Sequence, residues 1–169
     1  MYHLDNNQVS VGFVVNLDYE NPYLSPYEEF QRFKCHPSIK GYFKNGKRIS
    51  YGARAINEGG LQSIPKLVFP GGCLIGCSAG FVNVPRIKGT HNAMKTGMLA
   101  AEEAFKQLSI NKENPPLVLN DYNLSWKKST VWKDLWKVRN VKPSFKWGLV
   151  FGNIHSGINM WLNDLGLGF

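Results

Sequence analysis

The chain has 169 residues, of which 43% are hydrophobic, and its formal net charge of +8 corresponds to a pI near 9.4. This length suits one domain or part of a larger one, with enough apolar residues for a core. The sequence lacks the run of roughly 18 apolar residues that a membrane-spanning helix needs, and it lacks the basic start of a signal peptide. The positive charge either is surface charge alone or predicts an acidic partner, which can be a nucleic acid, an anionic membrane or a protein.

The first third of the chain predicts three strands and a helix. Two strands, Tyr2–Leu4 and Val9–Leu17, flank an Asp-Asn-Asn turn. The helix begins after Ser25, because a serine N-cap, a proline at the first helical position and a glutamate three residues after the serine are typical of a helix start. It is predicted to run to Phe33 and to stop before a His-Pro pair. The third strand is predicted over Ile49–Ala55.

The middle of the chain predicts two short strands, a glycine-rich loop and a long helix. The strands, Lys66–Phe69 and Cys73–Ile75, are separated by a Pro-Gly-Gly turn, and the helix runs from about Thr90 to Leu108. Asn114-Pro115-Pro116 interrupts the chain, and residues 121–140 are predicted to be partly helical. This mixture of strands and helices favours an α+β or α/β fold.

The cysteines do not indicate a disulfide framework or a metal site. There are three, Cys35, Cys73 and Cys77, and an odd number cannot all pair. The last two form a lone C-x3-C with no partner cysteines and no nearby histidine pair. We therefore expect small buried thiols in a reducing compartment rather than zinc or iron–sulfur ligands.

The glycine-rich loop ends at Gly89, directly before the long helix. A glycine there lets the backbone approach a ligand, and the free N–H groups of Gly89, Thr90 and His91 at the helix start favour negative charge. A reduced flavin ring carries such charge at its N1/C2=O edge. The alternative is an ordinary strand–loop–helix connection whose glycines serve only the turns.

The long helix is predicted to pack closely through its small residues, which are Ala93, Gly97, Ala100 and Ala101. Glu102 and Glu103 are predicted to face solvent. His91 is predicted to be structural rather than catalytic, and no catalytic residue is predicted, because GxSxG, HExxH and Cys–His patterns are absent. Electron transfer through a cofactor needs no side-chain acid or base, so the absence agrees with a redox role.

The C-terminal segment predicts a helix, except at its glycines, with one apolar stripe. The stripe repeats at steps of three and four residues and consists of Trp147, Phe151, Ile154, Ile158, Trp161 and Leu165. A stretch rich in lysine and tryptophan precedes it, in which Asp134 is the acidic residue. This arrangement favours contact with an anionic membrane surface. The alternative is a core helix beside a solvated basic surface; stacking on single-stranded nucleic acid is also possible, but no RRM or KH signature supports it.

Four stretches resemble a known flavoprotein family. Residues 74–102, LIGCSAGFVNVPRIKGTHNAMKTGMLAAE, are similar to the second flavin-contacting motif of the family that includes geranylgeranyl reductases and electron transfer flavoprotein–ubiquinone oxidoreductase. Residues 17–39, 46–72 and 131–144 resemble the oxidoreductase branch specifically. The resemblance covers nearly the whole chain.

The resemblance implies an α/β plus α+β fold: part of a glutathione-reductase-like FAD domain, a β-rich quinone-side portion and a monotopic membrane-contacting helix. Residues 1–45 would belong to the ubiquinone-side β-sheet region and 46–110 to the C-terminal part of the FAD domain. Residues 111–169 would form the basic, Trp-rich connection and the membrane-contacting helix. The residues expected to contact FAD are Gly76, Gly80, Gly89, Thr90, His91 and Asn57.

The resemblance also implies a function. Family members accept electrons from reduced electron transfer flavoprotein, use FAD and one 4Fe–4S cluster, and reduce ubiquinone in electron transport from fatty acid β-oxidation. The implied location is the matrix face of the mitochondrial inner membrane, with electron transfer flavoprotein, ubiquinone and the membrane surface as partners and no nucleic acid.

The family's GxGxxG motif would lie before this chain and its cluster cysteines after it, so we expect a fragment or short form of the enzyme. One alternative is a stand-alone monotopic membrane-binding module without redox activity. The other, a geranylgeranyl-reductase-like flavoprotein, is disfavoured by residues 17–39 and 46–72.

Overall fold

The computed structural model describes residues 1–110 and 117–167, so the predicted break at Asn114-Pro115-Pro116 lies outside the described residues. The chain divides into two compact units, Met1–Ala53 and Arg54–Phe169. Among the described residues, no helix combines the length and the apolar character that crossing a membrane requires.

In the first unit, strands β1 (Tyr2–Leu4) and β2 (Gln8–Ser10) form an antiparallel hairpin. Its turn places Asn6 and Asn7 at φ values of 57° and 55°, a region that asparagine tolerates better than most residues. The predicted strand Val9–Leu17 is wrong beyond Ser10. A strand needs a partner for its backbone groups, and β1 pairs with only three residues.

Helix α1 (Pro26–Cys35) confirms the predicted helix start, because the Ser25 hydroxyl accepts a hydrogen bond from the Glu28 amide at 3.4 Å. The helix ends two residues later than predicted and is followed by the short α2 (Pro37–Lys40). Phe13 packs on this part of the unit, with its ring centroid 5.7 Å from that of Phe30. The predicted strand Ile49–Ala55 is wrong: this exposed stretch pairs with no strand in the described residues.

The second unit begins with a hairpin of β3 (Val68–Phe69) and β4 (Gly72–Cys73), in which Val68 pairs with Cys73. This confirms the two predicted strands in shorter form. Leu74 extends the pairing by donating its amide to the carbonyl of Leu67 at 2.8 Å. Gly71, at φ 81°, provides the left-handed residue that the tight turn requires.

The long helix α3 (Thr90–Ile110) confirms the second predicted helix, but its buried face differs from the predicted one. The buried residues are Asn92, Thr96, Ala100 and Glu103. Ala101 is exposed, and Glu103 is only 6% exposed and accepts a hydrogen bond from Gln107 at 2.9 Å. Those two predictions were wrong because the helical period of 3.6 residues places Glu103 in line with Thr96, whereas Ala101 falls on the other side.

Four helices complete the unit: α4 (Asn120–Lys128), α5 (Thr130–Val138), α6 (Val141–Ser144) and α7 (Gly148–Asp164). The Ser129 hydroxyl caps α5 by accepting from the Val131 amide at 3.2 Å. The first two helices confirm the partly helical prediction for residues 121–140. Helix α7 continues through Gly152 and Gly157, which the sequence predicted to interrupt it.

The core of the second unit joins the hairpin, α3, α4 and α5. Its buried apolar residues are Leu67, Val68, Ala79, Phe81, Ala100, Leu119, Tyr122, Trp126, Val131 and Leu135. The Tyr122 hydroxyl donates to the Leu74 carbonyl at 3.2 Å, and burial, with a smaller effect of the nearby Cys73, raises the pKa of Tyr122 well above its usual range. All three cysteines are free thiols; Cys35 is exposed, so the prediction of a buried thiol is wrong there.

Candidate functional site

The predicted cofactor-binding residues begin at a tight turn docked on α3. Gly76 is buried at φ 55°, and its amide donates to the Thr96 hydroxyl at 3.1 Å. Its carbonyl accepts from the amides of Ala79 and Phe81, both at 3.2 Å. A Cβ at Gly76 would lie 3.0 Å from the Cβ of Ala93, so close packing against α3 and the positive φ both favour glycine here.

Asn57 and Gly80 lie beside this turn. The Asn57 side-chain amide donates to the Ser78 carbonyl at 3.0 Å, which fastens the preceding segment to the turn. Gly80 has a φ of 84°, and a Cβ there would lie 4.0 Å from the Cβ of Asn57. The structure therefore brings together Gly76, Gly80 and Asn57, three of the six predicted residues.

The other three form the start of α3. The backbone carbonyl of Gly89 accepts the Ala93 amide at 2.8 Å, which closes the first helical turn. A Cβ at Gly89 would lie 3.2 Å from Cγ2 of Val82, so this residue too is packed closely. Thr90 and His91 are exposed. The positive end of a long helix is thus accessible at this edge, where an anionic group would be stabilised.

Sequence reasoning missed the group that organises the helix start, the carboxylate of Asp134. Its Oδ2 accepts from Nδ2 of Asn83 at 2.9 Å and from Nδ2 of Asn92 at 3.4 Å. The same oxygen lies 3.4 Å from Nε2 of His91, and Oδ1 lies 3.2 Å from the Arg86 guanidinium. The sequence offered one signal for this role, which is that Asp134 is the acidic residue within a basic stretch.

The surroundings of Asp134 keep it ionised. Burial by itself would raise the pKa of Asp134, whose side chain is 17% exposed. The hydrogen bonds from the amides and the imidazole, together with the charge of Arg86, outweigh burial and hold this pKa below its usual range. A negative charge thus joins α5 to the loop and to the first turn of α3.

The loop that leads to α3 is held in a strained conformation. Asn83 and Lys88 exchange backbone hydrogen bonds of 3.0 and 3.3 Å, which close the loop between them. Ile87 lies inside this closed loop at φ 52°, a left-handed conformation that is unfavourable for a β-branched side chain. The Asn83 side chain supports the loop by accepting the Arg86 amide at 3.2 Å.

Helix α7 has its polar face turned inward and its apolar stripe turned outward. Gly152, Ser156 and Asn159 are its buried residues. The predicted stripe is 54% to 71% exposed and consists of Trp147, Phe151, Ile154, Ile158, Trp161 and Leu165. A core helix, which was the alternative, would bury this stripe. Within the described part of its unit the stripe is exposed instead.

Polar contacts hold α7 to the helices beneath it. Oδ1 of Asn159 accepts from Asn140 at 3.3 Å, and the Asn163 side chain donates to the Lys137 carbonyl of α5 at 3.3 Å. The Ser144 hydroxyl lies 2.7 Å from Nδ1 of His155, which places that histidine on the side of α7 that faces α6. Helix α7 is thus attached through side-chain hydrogen bonds, and its apolar stripe stays uncovered within the described part of its unit.

The residues fit the two implied cofactors differently. The exposed, positive start of α3 suits an anionic part of FAD, although close packing at Gly76 and Gly89 also favours glycine there. Within 1–110 and 117–167, no three His, Cys, Asp or Glu side chains lie close enough to share a metal ion. The described residues therefore do not fit a 4Fe–4S cluster.

Comparison with known proteins identifies the family. Residues 1–56 match the family model described as "ETF-QO, ubiquinone-binding". The chain is 57% identical over 169 residues to electron transfer flavoprotein–ubiquinone oxidoreductase from Rattus norvegicus, and 54% identical over 173 residues to that of Dictyostelium discoideum. The chain belongs to this family.

The similarity covers 96% of this chain but only a part of each relative. The chain spans 27% of the rat protein and of the human protein, to which it is 55% identical, and 28% of the Dictyostelium protein. Each of these relatives is named as mitochondrial. Activities of the whole enzyme are therefore proposals for this chain.

Proposed function

We propose that this chain is part of an oxidoreductase that accepts electrons from reduced electron transfer flavoprotein and passes them to ubiquinone at the matrix face of the mitochondrial inner membrane. The observation that carries the proposal is the 54% to 57% identity to oxidoreductases of that name, together with the ubiquinone-binding model over residues 1–56. In this proposal, residues 1–45 serve the quinone side, 46–110 the FAD domain and 111–169 the membrane side.

The residues proposed to hold FAD are Gly76, Gly80, Gly89, Thr90, His91 and Asn57. The exposed start of α3 would stabilise negative charge on the cofactor through backbone N–H groups. Asp134 holds His91 and Asn92 in place from the side, so the helix start is positioned before a ligand arrives. When bound, FAD supplies the one- and two-electron redox chemistry, and the chain supplies binding, orientation and electrostatics.

The outer face of α7 is proposed to contact the membrane. Its six stripe residues bury apolar surface when the helix lies in the lipid interface, at about 25 cal/mol for each Å² removed from water. Polar contacts of Asn163 with the Lys137 carbonyl and of His155 with Ser144 keep the helix attached to α5 and α6 while the outer face meets lipid.

A stand-alone membrane-binding module is the second candidate, because the outward stripe of α7 does not depend on the residues at the start of α3. The two candidates differ in one property, which is FAD binding. Electron transfer requires it, whereas the membrane module binds vesicles without it.

FAD binding is tested by fluorescence anisotropy of FAD titrated with the 169-residue chain and with two variants, Thr90→Glu and Thr90→Gln. Glutamate at the first turn of a helix is favourable for the helix dipole, so it should not weaken the fold. It repels an anionic ligand, by about 1 kcal/mol at 4 Å in water, and should weaken binding by about fivefold. Absence of FAD binding, or equal binding by both variants, contradicts the proposed cofactor site.

Membrane contact is tested by flotation with phosphatidylcholine vesicles. Ile154→Asp changes the exposed stripe and should abolish flotation without unfolding the chain, because the side chain is already in water. Asn153→Asp, one residue away and outside the stripe, is the control and should float like the original chain. Equal flotation of both variants rules out contact through the stripe.

A further inference from the structure

A groove lies between α5 and the C-terminal end of α7. It has a volume of about 420 Å³ and is lined by Trp132, Lys133, Trp136, Lys137, Asn163 and Gly166. On α5 the two tryptophans are four residues apart, and so are the two lysines, so each pair follows one side of the helix. The groove therefore presents an aromatic row beside a cationic row.

The two tryptophan rings of the aromatic row are stacked on each other, and a cation lies over one of them. Trp132 and Trp136 are stacked with ring centroids 5.5 Å apart and an angle of 24° between their planes. The Arg139 guanidinium lies 4.0 Å from the centre of the Trp136 ring, and one of its nitrogens donates to Asn163 at 3.3 Å. Trp136 and Asn163 both line the groove, so this guanidinium contacts two of the residues that form its wall.

The groove carries positive charge that its own residues do not balance. Lys133 is exposed and has no ion-pair partner in the described part of the chain, whereas Lys137 pairs with Asp164. Arg139 is only 7% exposed; within residues 1–110 and 117–167 it has no carboxylate partner, and one of its guanidinium nitrogens, Nη2, has no hydrogen bond. A buried cation such as Arg139 attracts an anion more strongly than a cation in open solvent does, and exposed Lys133 adds a second positive charge.

Apolar surface adjoins the groove on the α7 side. Gly166, which lines it, stands between Leu165 and Leu167, and both leucines are exposed. Leu165 is also the last member of the α7 stripe. A ligand with an anionic head and an apolar tail would thus meet cations in the groove and leucines at its edge.

We propose that this groove binds the phosphate headgroup of an anionic phospholipid whose acyl chains lie along the end of the α7 stripe. The inference rests on the proposed membrane contact of α7 and adds a defined lipid site to it. The exposed leucines favour a lipid over a single-stranded nucleic acid. The bases and phosphates of a nucleic acid could stack on the tryptophans and pair with the cations, but it has no apolar tail to pack on the leucines.

The test compares vesicles of phosphatidylcholine alone with vesicles that also contain phosphatidylglycerol, using the 169-residue chain. Lys133→Gln removes the unpaired lysine of the groove, and Lys127→Gln makes the same charge change on an exposed lysine of α4 outside it. Lys133→Gln should weaken binding to the phosphatidylglycerol vesicles by about fivefold. Lys127→Gln should weaken it by less than about twofold, because screened long-range attraction alone is lost. Neither should change binding to phosphatidylcholine.

Soluble competitors distinguish a headgroup from other phosphates. Dihexanoyl phosphatidylglycerol should release the chain from the mixed vesicles, whereas inorganic phosphate and a single-stranded polythymidine at the same phosphate concentration should not. Equal losses in the two lysine variants, or release by either of the latter two, would overturn the lipid site. Equal binding of the original chain to both kinds of vesicle would overturn the site alone, and binding to neither would overturn the membrane contact of α7 as well.

Discussion

Replacing Asp134 by asparagine keeps the shape of the side chain but removes the charge that holds the start of α3. At present its oxygens accept from Asn83, Asn92 and Arg86 and lie 3.4 Å from the His91 imidazole. An asparagine offers one acceptor oxygen and one NH₂ group. That NH₂ group would face donors, so at least one of them would lose its partner.

The cost of this substitution follows from the individual contacts. A hydrogen bond to a charged group contributes about 1.5 to 3 kcal/mol, and the partly buried contact with Asn83 at 2.9 Å is of this kind. The Arg86 side chain is largely exposed, so its ion pair adds no more than about 1 kcal/mol. We expect Asp134→Asn to lower the free energy of unfolding by about 2 to 3 kcal/mol at pH 7.

The effect should depend on pH. The pKa of Asp134 is lower in the folded chain than its ordinary value of 3.8, so the carboxylate stabilises the fold above that pH and the contribution is lost as the pH falls below it. Urea unfolding at pH 7 and pH 3 should show the difference between original chain and variant shrinking at pH 3. Asp121→Asn, at a half-exposed carboxylate paired with Lys106, is the control and should cost less than about 1 kcal/mol. A loss below about 0.5 kcal/mol at pH 7, or a difference that stays the same at pH 3, would refute the reasoning.

Three further predictions concern packing, strain and thiol chemistry. Gly157→Ala should raise the free energy of unfolding by about 1 kcal/mol, because a Cβ there meets no atom within 4 Å. Gly152→Ala in the same helix should lower it, since a Cβ there lies 3.0 Å from backbone atoms. Urea unfolding of both variants is the measurement, and stabilisation by both would contradict the α7 packing. Ile87→Asn should raise the thermal unfolding midpoint by relieving about 1 kcal/mol of left-handed strain, and an unchanged or lower midpoint would count against that strain. Exposed Cys35 should react with iodoacetamide before Cys73, because burial raises the pKa of the Cys73 thiol, and mass spectrometry of partly labelled chain would show the reverse order if this is wrong.

Local signals predicted the helices better than the strands. The serine cap and first-position proline of α1, and the run of helix formers from Thr90, act within a few residues of the backbone they determine. The strand predicted over Val9–Leu17 failed because a strand forms only where another chain segment pairs with it, and propensity cannot reveal the partner.

The apolar stripe of α7 was predictable, but the side it faces was not. The same spacing of Trp147 to Leu165 describes a core helix and an outward apolar helix, and only the burial of Ser156 and Asn159 distinguishes them. The hub at Asp134 was beyond sequence reasoning for a related reason. Its contacts with Asn83 and His91 join residues 51 and 43 positions apart, which no spacing rule connects.

The most direct test of the proposed redox role is to locate FAD on the chain by two-dimensional ¹H–¹⁵N NMR. Titration with FAD should shift the backbone amide signals of Gly89, Thr90 and His91 first and leave those of α7 unchanged. That result would support the start of α3 as the flavin-contacting edge of an electron-transferring enzyme. Shifts confined to other parts of the chain, or none at saturating FAD, would contradict the account and leave the outward face of α7 as the basis of a membrane-binding module.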